Sequence, residues 1–143
     1  MKNELRLDNL IGMNLKEFPD NIFRVLEVGQ TMRVTDSWKG TVIETAFYDI
    51  DNFQGIPLTE WWLLELGFFS HSPGLYRIKI HEDQNRYLET VLSLKDFWDF
   101  GIVIEHSYKS EDTELWIKGV SSVHELQNLY YSLTGTEIKP VTT

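Results

Sequence analysis

The sequence predicts an α+β fold: a small, bent antiparallel β unit of SH3-like size, a short bridging helix, then an antiparallel sheet of about four strands packed by a C-terminal helix. Three observations carry this expectation. Short runs rich in β-branched and aromatic residues, broken by polar or glycine-containing turns, fill residues 1 to 56 and recur from Leu75 to Gly119. A Trp- and Leu-rich segment, Pro57 to Gly67, separates the two sets. The stretch Val120 to Gly135 carries a complete set of helix signals.

Taken in order, Leu5, Leu7, Leu10 and Ile11 mark a short first strand or an irregular lead-in, and Lys16 to Asn21 a turn. Ile22 to Val28 reads as a strand apolar on both faces, Gly29-Gln30 as a two-residue hairpin loop, and Thr31 to Thr35 as the return strand. Asp36 to Gly40 is another turn, Thr41 to Tyr48 another strand, and Asp49 to Gly55 polar punctuation. In Pro57 to Gly67, Thr59 is the expected N-cap, Glu60 favours the positive end of the helix dipole, and Gly67 ends the helix. Its tryptophans and leucines suit a plug at one end of the β unit.

Leu75 to His81 alternates Tyr76, Ile78 and Ile80 against Arg77 and Lys79, and Glu82 to Asn85 turns the chain into Arg86 to Leu94. Asp96 to Asp99 reads as a helical turn or a loop. Phe100 to Tyr108 and Thr113 to Gly119 give two further strands joined through Lys109 to Asp112. In the last helix Ser122 and Glu125 have the spacing of a capping box, and Gly135 sits where a C-terminus needs positive φ. Val123, Leu126, Leu129, Tyr130 and Leu133 form its apolar stripe. The chain divides into subdomains 1–56 and 57–143, the latter ending in helix 122–134, with the two expected to pack as one unit.

Val123, His124, Leu126, Gln127, Asn128, Leu129, Tyr130, Leu133, Thr134 and Gly135 together form a pattern V-H-x-L-Q-N-L-Y-x-x-L-T-G. It resembles the C-terminal signature of small uncharacterised proteins of Bacteroidetes and their phages. A second pattern, P-L-T-E-x-x-L-x-x-x-G-F, is similar to a central segment of the same proteins. Pro57 to Glu60, Leu63, Gly67 and Phe68 match it. The resemblance implies a phage or mobile-element setting and no particular activity.

A net charge of −9 argues against general binding to nucleic acid or anionic membrane, both of which call for a basic footprint. Without cysteine there is neither disulfide nor thiolate metal site. The start, Met-Lys-Asn-Glu-Leu-Arg, lacks a hydrophobic signal core, and no apolar run reaches spanning length. A bacterial cytoplasmic setting is the resulting expectation, with virion association left open.

Catalytic patterns fail on inspection. His124-Glu-Leu-Gln-Asn128 lacks the second histidine of a zinc-protease helix. Asp49, Asp51 and Asn52 lack the glycine and the distal glutamate of an EF-hand loop. Gly119-Val-Ser-Ser-Val123 lacks the second glycine of a nucleophile elbow. His71, His81, His106 and His124 have no metal-ligand spacing, and neither metal nor cofactor is expected.

Two features point to binding. His124, Gln127 and Tyr131 form a polar stripe beside the apolar face of the last helix. Arg77, Lys79, Tyr87, Trp116 and Lys118 fall on the outward face of the second sheet, where cations and rings together suit a nucleotide-type ligand. The candidate ligand- or partner-binding residues are therefore Arg77, Lys79, Trp116, His124, Gln127 and Tyr131. The expected function is non-enzymatic binding by a phage or mobile-element protein, as a protein-interaction or self-assembly module whose partner is a second copy or a host or phage protein. The alternatives are a counter-defence protein sequestering a nucleotide-type signal, and a small hydrolase using converging His and carboxylate groups.

Overall fold

Two five-stranded antiparallel sheets organise the chain. The structure is a computed structural model that describes residues 5–13, 22–28, 31–35, 46–49, 53–81, 85–93, 97–106 and 112–141. The expected turns at Lys16 to Asn21, Gly29-Gln30 and Asp36 to Gly40 lie outside the described residues. So do residues 41–45, 82–84, 94–96 and 107–111, and with them most of the turns expected around 82–85 and 109–112. Contacts group the chain into two units. One comprises Met1–Pro57 together with Ser122–Asn128 and Thr143, and the other comprises Leu58–Ser121 with Leu129–Thr142.

The first unit contains β1 (Leu10–Met13), β2 (Ile22–Glu27), β3 (Thr31–Thr35), β4 (Ala46–Asp49) and β5 (Phe53–Gln54), in the order β4-β3-β2-β1-β5. The lead-in is a tight turn. Asn9 N donates to Arg6 O, Asn9 Oδ1 accepts from Arg6 N, and Asp8 takes φ +68°, a conformation that Asp tolerates better than most residues. Asp8 N then donates to Val25 O and Val25 N to Asn9 O, so pairing with β2 begins before β1 itself. Ile11 lies opposite Phe23, and the Phe23 and Phe53 rings meet edge to face at 6.1 Å. With Leu5, Leu10 and Val25 these side chains are buried, each contributing about 1.5–3 kcal/mol of hydrophobic stabilisation. The segment expected to be polar punctuation contains β5, whose Phe53 is buried and whose backbone pairs with Gly12 and Met13.

The second unit begins with α1 (Glu60–Glu65), capped as expected by Thr59, whose hydroxyl accepts from Trp62 N, and ended by Gly67 at φ +97°. Then come β6 (Phe69–Ser72), β7 (Leu75–His81), β8 (Arg86–Leu92), β9 (Trp98–Ile104) and β10 (Thr113–Val120), in the order β10-β9-β8-β7-β6. This sheet has five strands, not the expected four. The added strand, β6, is wholly exposed and carries Ser70, His71 and Ser72, so it shows none of the alternation that marks a half-buried strand. Gly74 at φ +77° closes the turn into β7. The second correction is at Trp98 and Asp99, read as a turn or loop. They open β9, and Trp98 Nε1 donates to Leu58 O from inside the core. Tyr76, Leu88, Phe100 and Trp98 line one face of the sheet and are buried with Leu63 and Phe68.

The C-terminal helix α2 (Val123–Thr134) is divided between the units after Asn128. Its expected stripe is buried at Val123, Leu126 and Leu129, and Gly135 closes it at φ +72° with its N–H on Tyr131 O. Ser122 and Glu125 do meet, but side chain to side chain, with Ser122 Oγ donating to Glu125 Oε1 at 2.7 Å. The bridge between Pro57 and Ser122 is made by the residues beside them, Leu58 N donating to Ser121 O and Val123 N to Ile56 O, and Ser122 O accepts from Leu126 N as the helix begins.

Candidate functional site: the outer face and free edge of the second sheet

The two halves of the expected site have different fates. On α2, the polar stripe is turned into the fold. Gln127 is 2% exposed, its Oε1 accepts from Leu10 N at 2.7 Å, and its Nε2 donates to Asp8 O at 3.2 Å. Next to it Asn128 Oδ1 accepts from both Arg6 Nε and Asn9 Nδ2. His124 is buried against Gly55, where a Cβ would lie 3.1 Å from its ring, and its Nδ1 is 3.2 Å from Ser122 Oγ. These groups tie the start of β1 to the helix. Tyr131 alone of the three is exposed.

In the second sheet, alternation along each strand and the cross-strand register define one row, Arg77, Glu89, Gly101, Trp116, on the face opposite the core. Lys79, Tyr87, Val103 and Glu114 form the neighbouring row on one side. Val91, Asp99 and Gly119 form the row on the other. Arg77 is not available at the surface. It is 2% exposed, its Nε donates to Glu89 Oε1 at 2.9 Å, Nη1 to Glu105 Oε1 at 2.8 Å and Nη2 to Asp112 Oδ2 at 3.1 Å. Its guanidinium lies 5.9 Å from the Tyr87 ring centroid. Three carboxylates on one planar fork engage each of its three nitrogens. Burial acts to lower the Arg77 pKa, but the hydrogen bonds it donates to Glu89 and Asp112, with their charges, outweigh it and hold the group above its usual value. Burial pushes the Glu89 carboxyl up, and Arg77 only partly opposes it.

Lys79 and Trp116 are exposed on this face. Three strand spacings of about 4.8 Å separate Arg77 from Trp116 along their row, so the two do not frame a single small ring. Trp116 instead borders a shallow cleft of about 390 Å³ lined by Val91, Asp99, Phe100, Ile117, Lys118 and Gly119. Two glycines shape it. A Cβ on Gly101 would lie 3.0 Å from Trp116 Cε3, and one on Gly119 would lie 2.5 Å from the Phe97 ring. Only glycine lets both rings settle on the sheet.

The edge next to the cleft is open. Among the described residues β10 pairs only with β9, and Leu115, Trp116 and Ile117 are consecutive exposed apolar residues, Leu115 at 66%. A register shift between Trp116 and Lys118 marks a bulge at Ile117. Gly101, beneath Trp116, and the cleft-lining Asp99 and Gly119 were not part of the expected site, Asp99 having been placed in a turn or loop. The signal that could have found them is glycine inside two adjacent β patterns, which marks a close approach.

No protein-family model, curated protein or solved structure matches this chain. Among the described residues no group of three His, Asp or Glu is placed to hold a metal ion, and no helix is long and apolar enough to cross a membrane.

Proposed function

We propose that this protein is a non-enzymatic interaction module that docks another protein along β10, in the phage or mobile-element setting that the α2 resemblance implies. The observation that carries the reading is the run Leu115-Trp116-Ile117, exposed on the open edge of a sheet. An edge strand offers unpaired backbone donors and acceptors, and an extended partner segment completes them by strand addition. Trp at the centre of such a surface is the residue type most often dominant in binding energy. The bulge at Ile117 and the charge of Lys118 blunt the C-terminal half of the edge, leaving Thr113–Trp116 as the regular pairing stretch. A charge of −9 per copy opposes pairing with a second copy and favours a partner with basic character.

The nucleotide alternative draws less support, because Arg77, its main cation, is committed to three carboxylates. The hydrolase alternative draws less support from the described residues of the second unit. There, His71 and His81 are exposed and His106 Nε2 is 2.6 Å from Thr113 Oγ1.

The test is photocrosslinking in host cells from a benzophenone amino acid placed at Ile117, with Thr136 as an exposed control position. A single adduct from Ile117, absent from Thr136 and lost with Leu115→Lys, is the expected result. Adducts of equal yield from both positions, or none from either, overturn the proposal.

A further inference from the structure

We infer that the cleft beside Trp116 receives the ammonium or guanidinium group of a lysine or arginine side chain presented by the docked partner. This rests on the docking reading above and adds the chemistry of what is recognised. Asp99 is the key group. It is half-buried, it lines the cleft, and none of the salt bridges or side-chain hydrogen bonds among the described residues involves it. A partly buried carboxylate without a counter-ion gains most from a cation, because its hydration is already reduced.

The surroundings of Asp99 favour the same ligand. Directly across from Asp99 is Gly119, under the Phe97 ring, and the next position on its own face is Gly101, under Trp116. Aromatic faces attract cations through their quadrupole, and Trp does so best. Val91 and Ile117 supply apolar walls for the methylenes of a long side chain. The volume, about 390 Å³, takes one such side chain with room to spare.

Lys118, also at the rim, does not fill the role itself. It pairs with Phe100, whose side chain is in the core on the other face, so the pleat directs the Lys118 side chain away from Asp99. Elsewhere on this face, among the described residues, Glu89, Glu105, Asp112 and Glu114 stand against Arg77 and Lys79, so carboxylates outnumber cations among them. The same field works against a phosphate. A face expected from sequence to attract anions therefore selects cations.

The experiment is a titration of the isotopically labelled full chain, followed in proton–nitrogen correlation spectra. The probes are the N-acetyl N-methylamides of lysine, arginine, norleucine and glutamate at millimolar concentrations. Lysine and arginine are expected to give saturable shifts of the Trp116 indole N–H and the Asp99, Gly101 and Gly119 amides, and norleucine and glutamate are not. Asp99→Asn, which keeps the side-chain shape, should weaken the cationic probes by about three-fold or more, and Trp116→Ala should remove the shifts. Equal shifts with norleucine, or no saturable shift with either cation in the wild-type chain, overturn the inference. Crosslinking at Ile117 that persists beside a null titration sinks the cation site and leaves the docking reading standing. A positive titration without any crosslink does the reverse.

Discussion

Arg77 shows what a single residue can hide. Alternation in β7 correctly places it on the face away from the core, yet a face is not the same as a surface. Glu89, Glu105 and Asp112 close around the guanidinium, and Glu89 is itself only 1% exposed. Removing one partner of a buried ion pair costs about 3–5 kcal/mol, because the other charge stays behind without compensation. Arg77→Met should therefore destabilise the second unit by roughly that amount near neutral pH. The pH dependence has a definite sign. Burial already raises the Glu89 pKa above its ordinary 4.5, and loss of Arg77 raises it further. A group with a raised folded-state pKa contributes stability that is fully present below its unfolded value and is lost as pH rises through the folded one. The gap between variant and wild type should thus be small near pH 4.5 and widen toward neutrality, read from urea melts at several pH values. A gap that stays constant with pH would mean that Arg77 is not compensating Glu89.

At the scale of elements, α2 and the start of β1 depend on each other through Gln127. The amide satisfies a buried strand N–H and a turn carbonyl with one side chain. Gln127→Leu keeps the bulk but leaves Leu10 N and Asp8 O without those bonds, at about 1–3 kcal/mol for a buried unsatisfied group. The expected outcome is lower global stability together with faster hydrogen exchange at the Leu10 amide; unchanged exchange there would remove the amide's assigned role. The sequence made α2 legible because its signals are local: Ser122 with Glu125, the apolar stripe, and Gly135. For the same reason Thr59 and Gly67 bound α1 as expected. What Gln127 bonds to was not legible, since Leu10 is 117 positions away. Nor were β5 and β6, which are short, and β6 has no buried side to leave a pattern. Of the candidate site, Trp116 was visible as an outward aromatic. Asp99 was read instead as part of a turn or loop, because its run of polar and aromatic neighbours mimics one until Gly101 and Gly119 are seen to lie under rings.

For the whole molecule, charge decides which partner the open edge accepts. With 22 acidic against 13 basic residues, two copies meeting along β10 repel, whereas a basic segment is drawn in. The attraction available to a second copy is apolar and hydrogen-bonded, and salt does not screen it as it screens charge. At about 0.15 M salt, charges interact over roughly 8 Å, and at about 1 M over roughly 3 Å. Sedimentation should therefore show a monomer at low ionic strength and self-association emerging only at molar salt. Leu115→Lys makes the test specific. It lowers the net negative charge, which by repulsion alone would promote association, yet it places a cation in the regular pairing stretch of the edge, where strand addition is blocked. If the high-salt species disappears in Leu115→Lys, the edge is the contact, and the native charge is what reserves it for another protein. If the species is already present at low salt in the wild type, repulsion does not reserve the edge and a second copy becomes its natural occupant.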